Sequence, residues 1–524
     1  MLFNSYIFIF LFLPLCLAGF YILQNRQATL AKVWLTCFSL WFYGYFNQSY
    51  LLIMVCSILG NYLIHYFIAK QVGKKQISKK IMISGVILNL LVLFYFKYFD
   101  FFLENVNSLF GSSFPLKNIL LPLGISFFTF QQISFLVDTY RGELKNVSFI
   151  DYALFVSFFP QLIAGPIVVH EEMIPQFNRI GNDSRSREEK LEIFAKGVYV
   201  FVLGLAKKVL IADTFGVAVD LAYSNVNAIN GLESLITILF YSLQLYFDFS
   251  GYCDMAKGIA GMFGMRIANN FNSPYKASNI VEFWKRWHIT LSRFFTKNIY
   301  IPLGGNRRGE GRMYLNYLIV FFLSGLWHGA GWNFILWGMM HGTWSVTTKW
   351  WLNCKKRTGV IKKGLAIVNV RSKETADSDG IQNNKKCYKT KVLKAVSCIL
   401  TFVYVSIAWV YFRAFSVRQA NILLMNVFNK PWALPGSGFT DAFNLGEFWY
   451  ILKILKIATL PYAEYYIMVI FSVVAIVITF FGKNIDELAA KFKPTVFNAA
   501  LTAVLFIWCV VSLSGVSTFL YFNF

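Results

Sequence analysis

Apolar stretches long enough to cross a bilayer recur along the whole chain, separated by shorter polar segments. A transmembrane helix needs about 20 predominantly apolar residues. We therefore predict an all-α, polytopic membrane protein. Its expected spans are 5–23, 33–47, 49–69, 82–99, 119–138, 149–168, 194–212, 232–262, 313–328, 331–351, 394–414, 464–482 and 497–521.

Glycine and proline interrupt several of these runs, as in Pro122-Leu123-Gly124 and Ala164-Gly165-Pro166. Within a membrane, irregular backbone is tolerated where neighbouring protein or a water-filled cavity satisfies its polar groups. We therefore expect a compact, partly re-entrant helical body rather than a simple serpentine.

Basic residues are concentrated in four loops, which the positive-inside rule places in the cytoplasm. These loops are 70–80, 179–208, 276–312 and 355–394. The last is also rich in Asn, Ser and Asp, a composition typical of a flexible linker. The predicted units are a membrane core (1–351), a basic cytoplasmic linker (352–394) and C-terminal transmembrane helices (395–524).

Composition agrees with the pattern, since 57% of residues are hydrophobic and 14% are charged, against about 25% charged in soluble domains. The net charge of +23 lies in short loops between spans. It therefore favours contact with anionic lipid over nucleic-acid binding. Met1 to Leu23 lacks a basic start and a small-residue cleavage site, so we predict a first transmembrane helix rather than a signal peptide. The eight cysteines show no C-x-x-C and no zinc-type spacing, so no metal site is predicted.

His328 ends an apolar run that begins at Tyr314. Measured as a helix, it lies about 24 Å from Arg312, the nearest upstream charge. If Arg312 marks one face of a hydrocarbon core about 30 Å thick, His328 is at or past its middle. Ionisable groups at that depth are costly and mark reaction sites or conduction paths. His328 is therefore the leading candidate for a functional residue.

Two further histidines could join it. Asn279 to Lys297 has the spacing of one amphipathic interfacial helix. His288 lies on its apolar stripe, either packed at the interface or turned inward towards a tunnel. His341 follows His328 by about 20 Å on an unbroken helix. The two share a site only if Gly329-Ala330-Gly331 breaks that helix.

Asp248 and Asp254 lie near the end of a long apolar run, where an acid needs a partner. Lys257 or Arg266 could pair with either acid. Structural pairing and a role around the reaction path both remain open.

The stretch Gly304 to Gly309 lacks the G-K-[ST] of a phosphate loop, so a tight cytoplasmic turn is predicted. Its Arg307 and Arg308 could attract an anionic donor or a lipid headgroup.

Seven segments together resemble one known family in its own order. They are PLGISFFTF (122–130), FPQLIAGPI (159–167), YFDFSGYCD (246–254), FWKRWHITLS (283–292), YIPLGGNR (300–307), GLWHGA (325–330) and LWGMMHG (336–342). The chain resembles the membrane-bound O-acyltransferases, most closely their bacterial alginate O-acetylation branch. One departure lies at Thr296-Lys297-Asn298, where many alginate-type relatives carry an Arg-Asp pair.

The resemblance implies a multi-helix core with a central tunnel and a bacterial inner-membrane location. It implies that His328 is the catalytic base, that His288 is the second histidine of the branch, and that His341 is a third recurring one. Candidates for supporting roles are Asp248, Ser250, Asp254 and Trp327, and candidates for donor binding are Arg286, Arg307 and Arg308.

The resemblance also implies acetyl transfer from a cytoplasmic thioester, acetyl-CoA, with no bound cofactor. The acceptor would be an exported or cell-surface polysaccharide or peptidoglycan. An extracytoplasmic Ser-His-Asp (SGNH) esterase-like protein is the expected partner. A neutral imidazole suits this chemistry, since its unperturbed pKa is about 6.5.

Two rival functions remain. One is D-alanyl transfer to teichoic acid, which the sister branch of the family performs. The other is a transporter or channel without chemistry, in which His328 gates a path or relays protons.

Overall fold

The computed structural model describes residues 1–71, 73–144, 147–357, 380–444, 446, 453–456, 460–515 and 519–520. Within these ranges the regular structure is helical and no residue lies in a strand. The predicted all-α fold is therefore confirmed.

The α-helices, numbered along the chain, are α1 (Leu13–Gln24), α2 (Ala28–Gly44), α3 (Gln48–Lys70), α4 (Lys75–Leu93), α5 (Phe99–Phe110), α6 (Ile125–Arg141), α7 (Phe149–Ser157), α8 (Phe159–Leu162), α9 (His170–Phe177), α10 (Arg187–Ala206), α11 (Asp213–Ser224), α12 (Gly231–Met262), α13 (Ile280–Trp284), α14 (Ile289–Phe295), α15 (Glu310–His328), α16 (Trp332–Arg357), α17 (Gly380–Arg413), α18 (Val417–Asn429), α19 (Ser437–Thr440), α20 (Ala463–Phe481), α21 (Ile485–Ala490) and α22 (Val496–Val511). The described residues also contain π-helical segments at Phe8–Phe12, Phe94–Tyr98, Lys207–Ala212 and Thr296–Tyr300.

Four helical stretches in the described part of the chain are long and apolar enough to cross a membrane. They are Gln48–Lys70, Lys75–Phe110, Lys391–Arg413 and Ala463–Phe481. Some of the other predicted spans are shorter apolar helices, such as Val496–Val511, and some are helices covered by protein. The predicted span 232–262, for example, corresponds to α12, most of whose side chains are buried. Helix α12 is therefore packed inside the protein, and the partly re-entrant arrangement stays a prediction.

The proline and glycine interruptions shorten two predicted spans. Helix α6 begins only at Ile125, after Gly124 at φ +71°. A Cβ on Gly124 would lie 2.9 Å from the carbonyl oxygen of Leu162. Glycine is therefore required where this chain bend meets the end of α8. The predicted span 149–168 likewise divides at Phe158 into α7 and the single turn of α8.

Helices α10 and α12 cross at very short range in the middle of the molecule. A Cβ on Gly204 would lie 2.6 Å from the backbone nitrogen of Met255. Small residues allow such close backbone approach between helices that cross in a membrane. The crossing fixes α12, which carries Asp248 and Asp254.

The two acids pair with lysines of the neighbouring π-helical segment. Lys208 Nζ lies 2.6 Å from Asp248 Oδ1 and 2.7 Å from Asp213 Oδ1, and Lys207 Nζ lies 2.6 Å from Asp254 Oδ2. The predicted partners Lys257 and Arg266 are therefore wrong. The prediction of a basic loop over 179–208 is also wrong at the C-terminal end of that range. Lys207 and Lys208 lie inside the helical body, where the acids neutralise them.

Hydrogen bonds join the turns at 176–185, 264–276, 286 and 482–484, and we call the surface that these turns form the basic face. Gln176 Nε2 donates to the carbonyl oxygen of Arg266 at 2.9 Å, and Lys276 Nζ donates to that of Gly482 at 2.6 Å. On the same face the Arg185 guanidinium bonds to Asp183 at 2.8 Å and holds the pKa of that carboxyl below its ordinary range. The opposite end of the helices forms the distal face.

Residues 358–379, the greater part of the predicted linker 352–394, lie outside the described residues. The division into a core, a linker and C-terminal helices stays a prediction. Helix α17, which begins within the predicted linker, supplies Trp409 and Phe412 to the core around the histidines.

Candidate active site

A break between α15 and α16 brings two histidines together. His328 is the last residue of α15, Gly329 is extended, and α16 begins at Trp332. The ring centroid of Trp337 lies 4.9 Å from that of His328 and 5.0 Å from that of His341. The helix break that the sequence required for a shared site is therefore present, and one indole separates the two imidazoles.

His288 reaches the same place because the expected helix 279–297 is not continuous. The chain forms α13 and α14, and between them His288 adopts φ +46°, ψ +51°. The backbone N–H of Ile289 donates to the carbonyl of Asn270 at 3.0 Å instead of to its own helix. This turn buries His288 completely and puts its ring centroid 6.3 Å from that of His328. Of the two alternatives, the inward orientation is the one observed.

Asn270 orients the His288 ring. Its Oδ1 accepts from the backbone N–H of Thr290 at 3.2 Å and from the Thr290 hydroxyl at 2.9 Å, so this atom is the amide oxygen. The same Oδ1 lies 3.2 Å from His288 Nδ1. A neutral imidazole in this contact carries its proton on Nδ1 and leaves Nε2 as an acceptor.

His341 has the opposite arrangement. The Trp284 indole N–H donates to His341 Nδ1 at 3.3 Å, and an indole nitrogen is a donor only. The proton of a neutral His341 therefore lies on Nε2. Sequence reasoning missed both orienting residues, Asn270 and Trp284, because neither has a signal of its own within a polar turn or an aromatic run.

Two clefts lie at different ends of α15, and the first reaches Trp284, which bonds His341, while the second reaches His328 itself. The first runs along the half of α15 nearer the basic face. It is lined by Trp284, Lys285, Leu291, Phe295, Tyr317, Phe321 and Lys349 among others. The second lies at the distal end of α15 and is lined by the 121–127 segment, Ile163, Trp327, His328 and Lys97.

Lys97, in the lining of the second cleft, is a further residue that was not predicted from the sequence. It is a lone cation in an apolar run, and such a residue is by default a candidate for function. Trp327, a predicted supporting residue, lies beside it, and its ring centroid is 6.1 Å from that of His288.

The other predicted residues lie at varying distances from the histidines. Asp248 and Asp254 are held in their ion pairs, while Phe249 between them contacts His288 with a centroid separation of 4.9 Å. Ser250 is buried on the same helix. These positions favour the structural alternative for the two acids.

The predicted donor-binding arginines do not line the first cleft. Arg286 forms an ion pair with Glu282 at 2.9 Å. Gly304 and Gly305, both at positive φ, build the tight turn that exposes Arg307 and Arg308. The tight turn is confirmed, and the donor-binding role of the three arginines stays a prediction.

At the departure from the alginate-type pattern, Lys297 occupies a π-helical turn and contacts acids from other segments. Its Nζ lies 3.1 Å from Asp138 and 3.5 Å from Glu143. Lys297 therefore pairs with Asp138 of α6, a residue far from it in the sequence.

A sequence profile of the MBOAT family, the membrane-bound O-acyltransferases, matches residues 37–359. This range covers well over half of the chain and includes all three histidines of the site. The chain belongs to this family. It is therefore an acyltransferase and a multi-pass membrane protein, and the alternative of a transporter without chemistry is set aside.

Named relatives extend the match over most of this O-acyltransferase. The peptidoglycan O-acetyltransferase of Helicobacter pylori is 41% identical over 450 residues, which is 80% of this chain and 78% of the relative. The probable alginate O-acetylase AlgI of Pseudomonas aeruginosa is 37% identical over 425 residues, 80% of this chain and 73% of the relative. The teichoic acid D-alanyltransferase of Streptococcus thermophilus is 27% identical over 311 residues, 57% and 70% respectively.

Proposed function

We propose that this acyltransferase takes an acetyl group from acetyl-CoA in the cytoplasm and delivers it across the bacterial inner membrane. The final acceptor is a hydroxyl of an exported or cell-surface polysaccharide or of peptidoglycan. The observation that carries this proposal is the buried pair His288 and His328, with the distal cleft at His328 and the other cleft ending at Trp284, the partner of His341. By the positive-inside rule, the basic face is cytoplasmic.

His328 is the general base in this proposal. Its imidazole removes the proton of the acceptor hydroxyl as the oxygen attacks the thioester carbonyl. The new C–O bond forms, the C–S bond breaks, and the proton passes to the departing thiolate to give free CoA. General-base assistance of this kind is worth about 10²- to 10⁴-fold in rate.

His288 and His341 orient the reactants. Since His288 Nδ1 is directed to Asn270, its Nε2 suits an N–H or O–H group of a substrate better than a carbonyl oxygen. Lys285 and Lys349 in the first cleft supply positive charge for the phosphates of the donor, and the aromatic lining suits its apolar arm.

The similarity to two named O-acetyltransferases supports acetyl transfer over D-alanyl transfer, whose named relative is less similar and covers less of the chain. An extracytoplasmic SGNH esterase-like partner completes the proposal, because a group that leaves the distal cleft must still reach a polymer outside the membrane. A genetic test can identify the polymer. Deletion of the gene for this protein should lower the ester-linked acetate on the surface polymer that it serves.

The direct test uses inner-membrane vesicles and acetyl-labelled acetyl-CoA. Wild-type vesicles should release CoA thiol and label an acceptor. His328→Ala should reduce this transfer by at least about 10²-fold at equal protein level, because the base is lost. His65→Ala is the matched control, since His65 is a buried histidine that bonds Thr139 away from the site.

Full transfer by the His328→Ala protein would refute the assigned base. Transfer from a D-alanyl carrier protein, with none from acetyl-CoA, would assign the chain to the rival substrate.

A further inference from the structure

Helix α15 ends inside the protein with carbonyl groups that no residue of its own helix can satisfy. The last four carbonyls of any α-helix lack intrahelical donors. Here the backbone N–H of Gly329 supplies the Gly325 carbonyl, at 3.4 Å. The carbonyls of Leu326, Trp327 and His328 then remain, next to the imidazole to which the proposed function assigns the proton transfer.

Two adjacent side chains of another helix satisfy all three. The Tyr98 hydroxyl donates to the carbonyl oxygen of Leu326 at 2.9 Å. Lys97 Nζ donates to that of Trp327 at 2.5 Å and to that of His328 at 3.3 Å. The ammonium also lies 5.8 Å from the centroid of the Trp327 ring, within the range of a cation–π contact.

The position of Lys97 in its own helix is unusual. It lies in the π-helical segment Phe94–Tyr98, which interrupts the long apolar stretch Lys75–Phe110. Such π-bulges are rare in proteins overall, and many of those that occur lie at functional sites. In the described part of the chain no carboxylate lies within ion-pair distance of Lys97. Its electrostatic partner is instead the negative end of the α15 dipole.

The geometry points to Lys97 as a positioning residue for the His328 imidazole. This inference rests on the proposed function, and it adds the residue that fixes the base. By clamping the last two carbonyls of α15, Lys97 sets where the helix stops and how the His328 side chain enters the distal cleft. The same amino group also lines the distal cleft beside His328.

The test compares kcat and KM for acetyl-CoA in vesicles that contain the full-length protein. Lys97→Met keeps the length of the side chain and removes its charge and donors. Its kcat should fall by about 10- to 100-fold, because small misplacements of a reacting group cost that much. The KM for acetyl-CoA should stay within about two-fold, since the donor cleft is untouched. Lys97→Arg, which keeps charge and donors, should recover part of the loss.

Tyr98→Phe provides a second variant that leaves the charge in place. It removes one clamp on α15 and should lower kcat in the same sense but by less. Lys117→Met is the matched control, since Lys117 lies over the Tyr95 and Phe99 rings without contact to α15, and it should behave as wild type.

Each possible outcome bears on a distinct claim. Wild-type kcat in Lys97→Met overturns the positioning role, as does a loss in Lys97→Arg as large as in Lys97→Met. A rise in KM at unchanged kcat would make Lys97 a donor-binding group and also overturns the inference. If wild-type vesicles transfer no acetyl group, the proposed function itself fails, which is separable from any result on Lys97.

Discussion

His288 is held in a backbone conformation that residues other than glycine rarely adopt. At φ +46°, ψ +51° it lies in the left-handed region, which costs about 1 kcal/mol or more for an L-residue. Hydrogen bonds from Ile289 and Thr290 to Asn270 hold the turn in place. Strain of this kind persists where the surroundings over-determine it, and it is concentrated at functional sites.

Replacing Asn270 should therefore impair transfer. Asn270→Ala removes the acceptor for both His288 and Thr290 and should lower kcat by about 10- to 100-fold through loss of orientation. Asn269→Ala is the control one residue away, because Asn269 bonds Lys257 and not a histidine. Kinetics in vesicles measure both variants, and equal activities would exclude an orienting role for Asn270.

At the scale of residues, the sequence could locate the proposed base but not the residues that orient it. His328 was found from its depth in an apolar run, which is a property of composition. Asn270, Trp284 and Lys97 act through contacts between segments far apart in the chain, such as Lys97 and His328 at a separation of 231 residues. Periodicity within one helix carries no information on such contacts.

Among the elements, helix breaks matter more than helices. The helix ends at His328 and Trp284 bring three imidazoles to one place. His288 and His328 nevertheless lie in stretches whose apolar spacing is helical throughout. The glycines between α15 and α16 signalled the first break. The second depends on hydrogen bonds to Asn270 from a different segment, so the apolar spacing of 279–297 favoured one helix and was wrong.

The α10–α12 crossing gives a prediction about stability. Gly204→Ala places a methyl group 2.6 Å from the Met255 backbone nitrogen, where neither helix can yield without repacking. Overpacking costs typically about 1–3 kcal/mol. The variant should therefore melt at a lower temperature in detergent than wild type.

Gly60→Ala is the matched control, because a Cβ there meets no atom within 4 Å. Its melting temperature should be equal or higher, since alanine is the better helix former by about 1 kcal/mol. Equal melting temperatures for the two variants would mean that α10 and α12 pack less closely than described.

For the molecule as a whole, a buried charge network joins its middle to its C-terminal end. Lys208 is 1% exposed and pairs with Asp213 and Asp248. The backbone N–H of Leu520 donates to Asp248 Oδ2 at 3.1 Å, and Lys208 lies 4.7 Å from the Phe519 ring centroid. Residues more than 270 positions apart therefore complete one network.

Removing the cation should destabilise the fold. Lys208→Met leaves two carboxylates without their counter-charge, and breaking a buried pair costs about 3–5 kcal/mol. Lys190→Met is the control, since Lys190 lies 4.0 Å from Asp183 near the surface, where a pair is worth about 0–1 kcal/mol. The yield of folded protein in membranes and its melting temperature report both effects. A Lys208→Met protein as stable as the control would show that the acids are protonated.

The contact between Leu520 and Asp248 has a consequence for biosynthesis. The translocon inserts the chain from its N-terminus, so Asp248 enters the bilayer long before its last donor has been translated. Until residue 520 has been synthesised, one carboxylate oxygen of Asp248 in the nascent enzyme lacks this hydrogen-bond donor. A chain that stops before residue 520 would therefore leave Asp248 Oδ2 without the hydrogen bond from the Leu520 N–H.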